Sequence, residues 1–507
     1  MTLRTRVSTL TLIAAGFGAT AAIADVSATD VWANYDAYVA SLGGAMSGDL
    51  STSGAVTTIT NAKVNFVLPM GFGNIAVAVS DITMTENGDG TVAVTYPSPM
   101  IVAISGNLQE VGPFAATIQS EQGAYDVIAS GDAGDVTYKG TGTDLSYTLL
   151  DVTFAGSEEW TIKASGTVAG FELETRVTEG NLIMVESATT MGANTYEFDM
   201  SGPDGIVSTN TGSYGATQAT ASLSLPVGGS DIMNLSQAIR DGLSVDLVSR
   251  GTGSQGTATT TLNGQIVTDQ DTTAGASEVT MRLGESGLAV VGNVDDIAMT
   301  VTMADLMPFP IEGAIDQITA NYVLPVNASD AQQEFRYAFG LNGITVSDDI
   351  WGLFDPAGEL PRDPATIALD LSGYGVTGLD LLDIPSMMAL SQGGDVPVQV
   401  DEVTLNSMTI AAAGAEITAQ GAFILDNDDM ATFPGFPRPE GALDMTLSGV
   451  NGLMDKLAAL GFIPEEELMA PRMMLGMFAT PVGDDELTST IEVNSEGHVL
   501  ANGQRLR

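Results

Sequence analysis

Sixty-three carboxylates stand beside a single histidine and no cysteine in this chain of 507 residues. Chemistry here must therefore rest on oxygen groups. The histidine, His498, sits in Glu496-Gly497-His498-Val499-Leu500, next to Ala501-Asn502-Gly503. A serine triad needs a histidine base oriented by a carboxylate. A histidine beside an Asn-Gly turn predicts a tail hairpin instead. Without cysteine there is no disulfide, thiolate metal site or thiol nucleophile. One histidine excludes a multi-histidine metal centre. The lysines are Lys63, Lys139, Lys163 and Lys456, and none closes the Ser-x-x-Lys spacing that a serine–lysine nucleophile would use.

Two oxygen chemistries remain. A pair of carboxylates can hydrolyse glycosides, but sugar sites also want aromatic platforms, and aromatics make up only 6% of the chain. Calcium needs six or more oxygens at defined spacing. Asp269-Gln270-Asp271 begins like a calcium loop, yet Ala274 stands at the glycine position and Thr280 at the closing glutamate. Asp426, Asp428 and Asp429 form a denser acidic cluster and are the candidate cation ligands. Gly251-Thr252-Gly253-Ser254-Gln255-Gly256 has dinucleotide-type glycine spacing, but it leads into a strand pattern and not a helix.

The remaining chemistry is apolar. Methionine occurs 23 times. Met469, Met473 and Met477 recur every fourth residue, so a helix would put them on one face. Methionine adapts to varied apolar partners. These three are the candidate contacts for an apolar ligand.

The elements that must position such residues alternate with period two. Phe171, Leu173, Thr175 and Val177 alternate with Glu172, Glu174 and Arg176; Ile367, Leu369 and Leu371 alternate with Ala368 and Asp370. Each predicts a strand with one apolar face. Val92, Val94, Tyr96, Met100, Val102 and Ile104 share one parity and predict a long apolar face. Its expected partner is Ile75-Val77-Val79, joined through the turn 86–90, with a bulge near Ser80-Asp81. Helices are few. One opens after Ser27 or Thr29 and stops at Gly43-Gly44. Others are expected over Ser230 to Asp241, Leu381 to Leu390, Asn451 to Leu460 and Pro464 to Phe478. Pro471 should kink the last or delay its start.

Asn65-Phe66-Val67-Leu68-Pro69-Met70 is echoed by Asn321-Tyr322-Val323-Leu324-Pro325-Val326 and, more loosely, by residues 222–227. Leu369-Asp370-Leu371-Ser372-Gly373 is echoed by Met445-Thr446-Leu447-Ser448-Gly449, and both predict a strand, Ser-Gly, a loop and then a helix. These echoes suggest duplication of a β unit without a fixed period.

Residues 1–24 read as a signal peptide: Arg4 and Arg6, an apolar stretch to Ala22, then Ala22-Ile23-Ala24 before Asp25. No later stretch reaches the ~18 apolar residues of a membrane helix. The three tryptophans, Trp32, Trp160 and Trp351, are too few for the aromatic girdles of an outer-membrane barrel. The expected location is outside the cytoplasm, foremost the periplasm, with secretion or the cell surface as alternatives. The formal charge of −47 excludes nucleic acid as a partner. The carboxylates fall on polar strand faces and in turns, as a solvated coat would place them.

Trp351-Gly352-Leu353-Phe354-Asp355-Pro356, Leu360-Pro361-Arg362-Asp363-Pro364, Ile367 to Leu371 and the ending Gly497 to Leu506 resemble an exported alphaproteobacterial family known as a domain of unknown function. The resemblance covers about 340–375 and 441–507. It brings no catalytic residue. More distantly, amphipathic strands with a C-terminal helix pair resemble the AsmA-like envelope proteins, whose β-grooves handle lipids. The expected loss of residues 1–24 departs from their retained anchor.

The fold expected is mainly β. Long antiparallel amphipathic strands form curled sheets, a groove or a sandwich, with a few short helices. The expected division is a signal peptide 1–24, a β-rich half 25–318 and a β-rich half 319–507 that carries the helix pair 451–478. The leading functional expectation is a non-enzymatic envelope protein that binds a lipid-like ligand or another envelope protein, with no cofactor. An acidic cation-binding surface protein and a carboxylate-only hydrolase stay open as alternatives.

Overall fold

The computed structural model describes residues 25–506 except 69–72, 109–111, 155–158, 231–233, 304–305 and 392–397. The expected signal peptide, and Pro69-Met70 of the repeated string, lie outside the described residues. Of the described residues 64% are strand and 12% helix, so the mainly β expectation holds. Two compact units divide it. One comprises the described parts of Met1–Glu158, Ile162–Tyr196 and Ala216–Ser230; the other holds Glu159–Thr161, Glu197–Gly215 and Asp231–Arg507.

The first unit is built on a helix enclosed by sheet. Helix α1 (Ala28–Ser41) starts at a capping box: Asp30 N donates to Ser27 Oγ at 3.2 Å, and Ser27 N donates to Asp30 Oδ2 at 2.9 Å. It buries Val31 and Asn34. Around it, Val31, Ile59, Met84, Val92, Ala129, Val136 and Tyr138 are fully excluded from solvent. This is a sealed core.

Long strands of this unit each serve two short partners. Val56–Leu68 pairs with Ile82–Glu86 along Val56 to Ile59 and with Gly73–Val79 along Lys63 to Leu68. Between the two stretches, Asn61 takes φ 56°. Asp135–Thr153 repeats the device: it pairs with Tyr125–Asp132 up to Gly142 and with Gly112–Glu121 from Ser146, and Asp144 between them has φ 52°. Asn and Asp tolerate the left-handed region better than other side chains. One such residue shifts strand parity by one, so apolar positions stay on one face past the fork.

Two local expectations change. The single apolar span from Val92 to Ile104 is two strands, Val92–Thr95 and Met100–Leu108. Residues 87–91 join Ile82–Glu86 to Val92–Thr95, whereas Gly73–Val79 pairs with Met100–Leu108. The expected bulge at Ser80-Asp81 is the break between the strands Gly73–Val79 and Ile82–Glu86.

In the second unit Gly287–Met303 forks in the same way. It pairs with Ser277–Gly284 up to Val294 and with Gln265–Ala274 from Ala298, with Asp296 at φ 51° between. From there the chain meanders. Ile311–Leu324, Gln333–Val346, Ala365–Thr377, Val398–Ala412, Ala415–Asp426, Arg438–Ser448 and Glu486–Val493 each lie antiparallel to the one before. The described α-helices of this unit are α2 (Leu235–Arg240), α3 (Asp348–Phe354), α4 (Ile384–Ser391), α5 (Val450–Ala459) and α6 (Met469–Phe478).

Helix α2 is shorter than the span expected from Ser230, because Asn234 is its cap: Gln237 N donates to Asn234 Oδ1 at 2.9 Å. Helix α6 begins at Met469, so Pro471 falls in the first turn, where its missing N–H costs nothing. Gly373 corrects the second repeat. It lies inside the strand Ala365–Thr377, so no loop follows it, whereas Gly449 does begin α5. A Cβ at Gly373 would stand 2.1 Å from the Glu402 carbonyl oxygen, which explains the glycine without any turn.

Candidate functional site: an uncovered apolar sheet face

Directly opposed residues on antiparallel strands share a face, so the register of the second unit can be read as rows. One row runs Val294, Ile318, Leu341, Ile367, Ile410, Ile417, Leu447, Leu487, across eight strands without a polar residue. A parallel row runs Val290, Tyr322, Tyr337, Leu371, Leu405, with Leu443 and Ile491 farther on. The opposite face is polar, as in the row Thr409, Thr418, Thr446, Thr488. Arg336 and Asp370 form an ion pair at 2.5 Å on neighbouring strands.

The apolar face is not sealed. Among the described strand residues from 244 to 412, no Val, Leu, Ile, Met, Phe or Tyr is buried. Ile367, Ile410 and Tyr337 are 41%, 43% and 46% exposed. The contrast with the sealed core around α1 is direct: similar amphipathic strands are covered in one unit and open in the other. Tyr322 and Tyr337 pack at 5.0 Å between ring centroids, and Tyr337 meets Phe339 edge-on at 6.0 Å. Desolvation, with Tyr337 alongside, raises the Tyr322 phenol above its ordinary value. Such a face can hold apolar matter.

The residues singled out by sequence fall elsewhere. Met469, Met473 and Met477 lie on α6 and are 73%, 66% and 52% exposed. They form the outer face of that helix, while Leu468, Ala479 and the half-buried Leu475 and Phe478 face inward. The structure thus brings the three together but not onto the sheet rows.

Asp426, Asp428 and Asp429 lie at the turn after Ala415–Asp426. Arg438 reaches between the first and third of them: its Nη2 donates to Asp426 Oδ2 at 2.6 Å and its Nε to Asp429 Oδ2 at 3.0 Å. Thr432 N and Oγ1 donate to Asp429 at 3.0 and 2.7 Å. These bonds, with Arg438 alongside, hold the Asp429 carboxyl below the usual range. Asp428 N donates to Asp426 Oδ1 at 3.2 Å, closing the turn. Among the described residues no three acidic or histidine side chains gather round a common point. His498 sits before the tail hairpin, its Nδ1 3.1 Å from Glu496 Oε2.

Sequence reasoning passed over the carboxylates that organise loops. Asp355, in the Trp351 to Pro364 segment, is fully buried and accepts from the Glu359 and Leu360 N–H groups, both at 2.9 Å. Burial pushes its carboxyl up, but the Leu360 and Glu359 donors and Arg362 outweigh this and leave it below the usual value. Asp485 accepts from Asn451 N at 3.1 Å and Gly452 N at 2.8 Å, capping α5 where Gly449 has no side chain to do so. Asp380 takes both Arg240 nitrogens at 2.9 Å. No spacing rule reveals these partners, because they lie 33 to 140 residues away in the last two cases.

The comparisons with known proteins agree with this limit. Residues 257–503 match the model of a family described as an uncharacterized protein conserved in bacteria (DUF2125). The matched stretch contains the whole apolar face and helices α3 to α6. It accords with the resemblance drawn from residues 340–375 and 441–507. No curated protein matches the chain. Among the described residues, no helix is long and apolar enough to cross a membrane.

Proposed function

We propose that this chain is a non-enzymatic protein of the bacterial envelope that holds a lipid-like ligand on the apolar face of its second unit. The observation that carries the reading is the row from Val294 to Leu487: aliphatic side chains across eight strands, of which those from Val294 to Ile410 are not buried and Ile367 and Ile410 are more than 40% exposed. Apolar burial yields about 25 cal/mol per Å2, so an acyl chain covering ~300 Å2 gains about 7 kcal/mol before ordering costs. Soluble proteins seldom leave an apolar patch of that extent without a use. The signal-like residues 1–24 support a place outside the cytoplasm, where free lipid must be shielded from water.

The test is to express the full chain in a bacterial host, fractionate the cells, and extract the purified protein with organic solvent for mass spectrometry. The expected result is protein in the periplasmic fraction with near-stoichiometric acyl lipid. Protein that yields no lipid, and that leaves a fluorescent fatty-acid probe unquenched and unshifted, would overturn the reading.

A further inference from the structure

We infer that the outer face of α6 is a docking surface for a partner protein that presents a basic amphipathic helix. At 3.6 residues per turn, Met469, Met473 and Met477 stack on one side of α6, opposite the buried Leu468 and half-buried Leu475. Met474, at 56% exposure, widens the stripe, and Phe462 in the preceding turn is 53% exposed. Phe462 is steadied by an edge contact to Phe354 of α3 at 6.5 Å. Five large apolar side chains at more than half exposure, four of them methionines, make an adaptable surface.

The flanking charges name the partner's charge. Glu465, Glu466 and Glu467 precede the stripe, and Asp484 and Glu486 follow it; all five are exposed. The one arginine of α6, Arg472, is bonded to Asp455 of α5. The sequence flanking the stripe is therefore acidic, on a chain of charge −47. Such flanking charge repels an anionic lipid surface and attracts lysine and arginine. An apolar stripe with flanking basic residues on a helix satisfies both the apolar face and the acidic flanks. This inference does not depend on the ligand of the sheet face.

The test uses the whole protein and a synthetic peptide of leucine and lysine with one apolar stripe, read by fluorescence anisotropy. A scrambled peptide of equal composition controls for bulk charge. The variant M469S/M473S/M477S removes the apolar stripe at positions already exposed, without altering charge; circular dichroism confirms its fold. Lipid content is measured on the same samples and should not change, so this surface and the sheet face fail separately. The expected result is that scrambling the peptide, and separately the triple substitution, each weaken binding by about tenfold or more. Equal binding of the scrambled peptide, or of the variant, would overturn the inference. So would stronger retention of the wild type on phosphatidylcholine vesicles than on the stripe peptide.

Discussion

Tyr138 donates its hydroxyl to Asn34 Oδ1 at 2.8 Å, inside the sealed core that α1 forms with the first unit's sheet. Asn34 passes the bond on, its Nδ2 donating to Glu179 Oε1 at 2.8 Å. Both Asn34 and Tyr138 are fully buried. One helix is thus tied through a single amide to two strands, Asp135–Thr153 and Thr161–Glu179. An unmade buried hydrogen bond costs about 1–3 kcal/mol. N34A should therefore lower stability by about that much, plus a smaller cavity cost. Y138F alone should also destabilise, because it orphans Asn34 Oδ1. The double variant should cost less than the sum, which urea unfolding of all four proteins would measure.

The left-handed Asp296 supports a sharper substitution pair. At φ 51° a β-branched side chain is strained and glycine is not. D296V should destabilise by about 1–2 kcal/mol, whereas D296G should stay within about 0.5 kcal/mol of wild type. Thermal unfolding of the two variants decides it. Equal midpoints would mean that the fork of Gly287–Met303 is held by its neighbours and not by the backbone of Asp296.

That residue also marks where legibility ends. Alternation across Phe171 to Val177 and Ile367 to Leu371 is a local consequence of the pleat, and it reads directly as strand. The capping serine of α1 and the proline-delayed start of α6 are equally local. The parity switches are local too, but their signal is one Asp or Asn inside an alternating run. In Leu288, Val290, Gly292, Val294 then Ile297, Met299, Val301, the apolar positions change from even to odd across Asp296. Read without the left-handed option, that run looks like the end of a strand. Helix α3 escaped notice because its seven residues carry too little periodicity. What covers a face is not local at all. Leu173 and Ile367 look alike in sequence, yet only Leu173 is buried.

Acid should weaken the second unit through Asp380. Bonds from Arg240, and from Ala328 N at 2.9 Å, hold its carboxyl below the ordinary value despite some desolvation. A carboxyl lowered by folding contributes stability above its unfolded pKa and loses it as pH falls through the folded one. D380N should therefore cost about 1 kcal/mol at pH 7, in line with a partly exposed bidentate pair. The gap to wild type should shrink below the unfolded value of about 4 and close once the wild-type carboxyl is protonated. Urea midpoints for both proteins from pH 7 to pH 3 give the curve. A gap that widens in acid would assign Asp380 a role other than its ion pair.

Ile367 and Ile410 are direct cross-strand partners in the middle of the aliphatic row. Each is more than 40% exposed, so replacing them removes little buried area. I367S/I410S should cost under ~2 kcal/mol, well below the ~2–5 kcal/mol of a core truncation. If the row holds an acyl chain, two hydroxyls under that chain are costly to desolvate. Lipid recovered per mole of protein should then fall several-fold, while the fold and the yield persist. The control T409S lies beside Ile410 on the opposite, polar face and should leave lipid content unchanged. Unaltered lipid in I367S/I410S would place the ligand away from the row, whatever the sheet's exposure suggests.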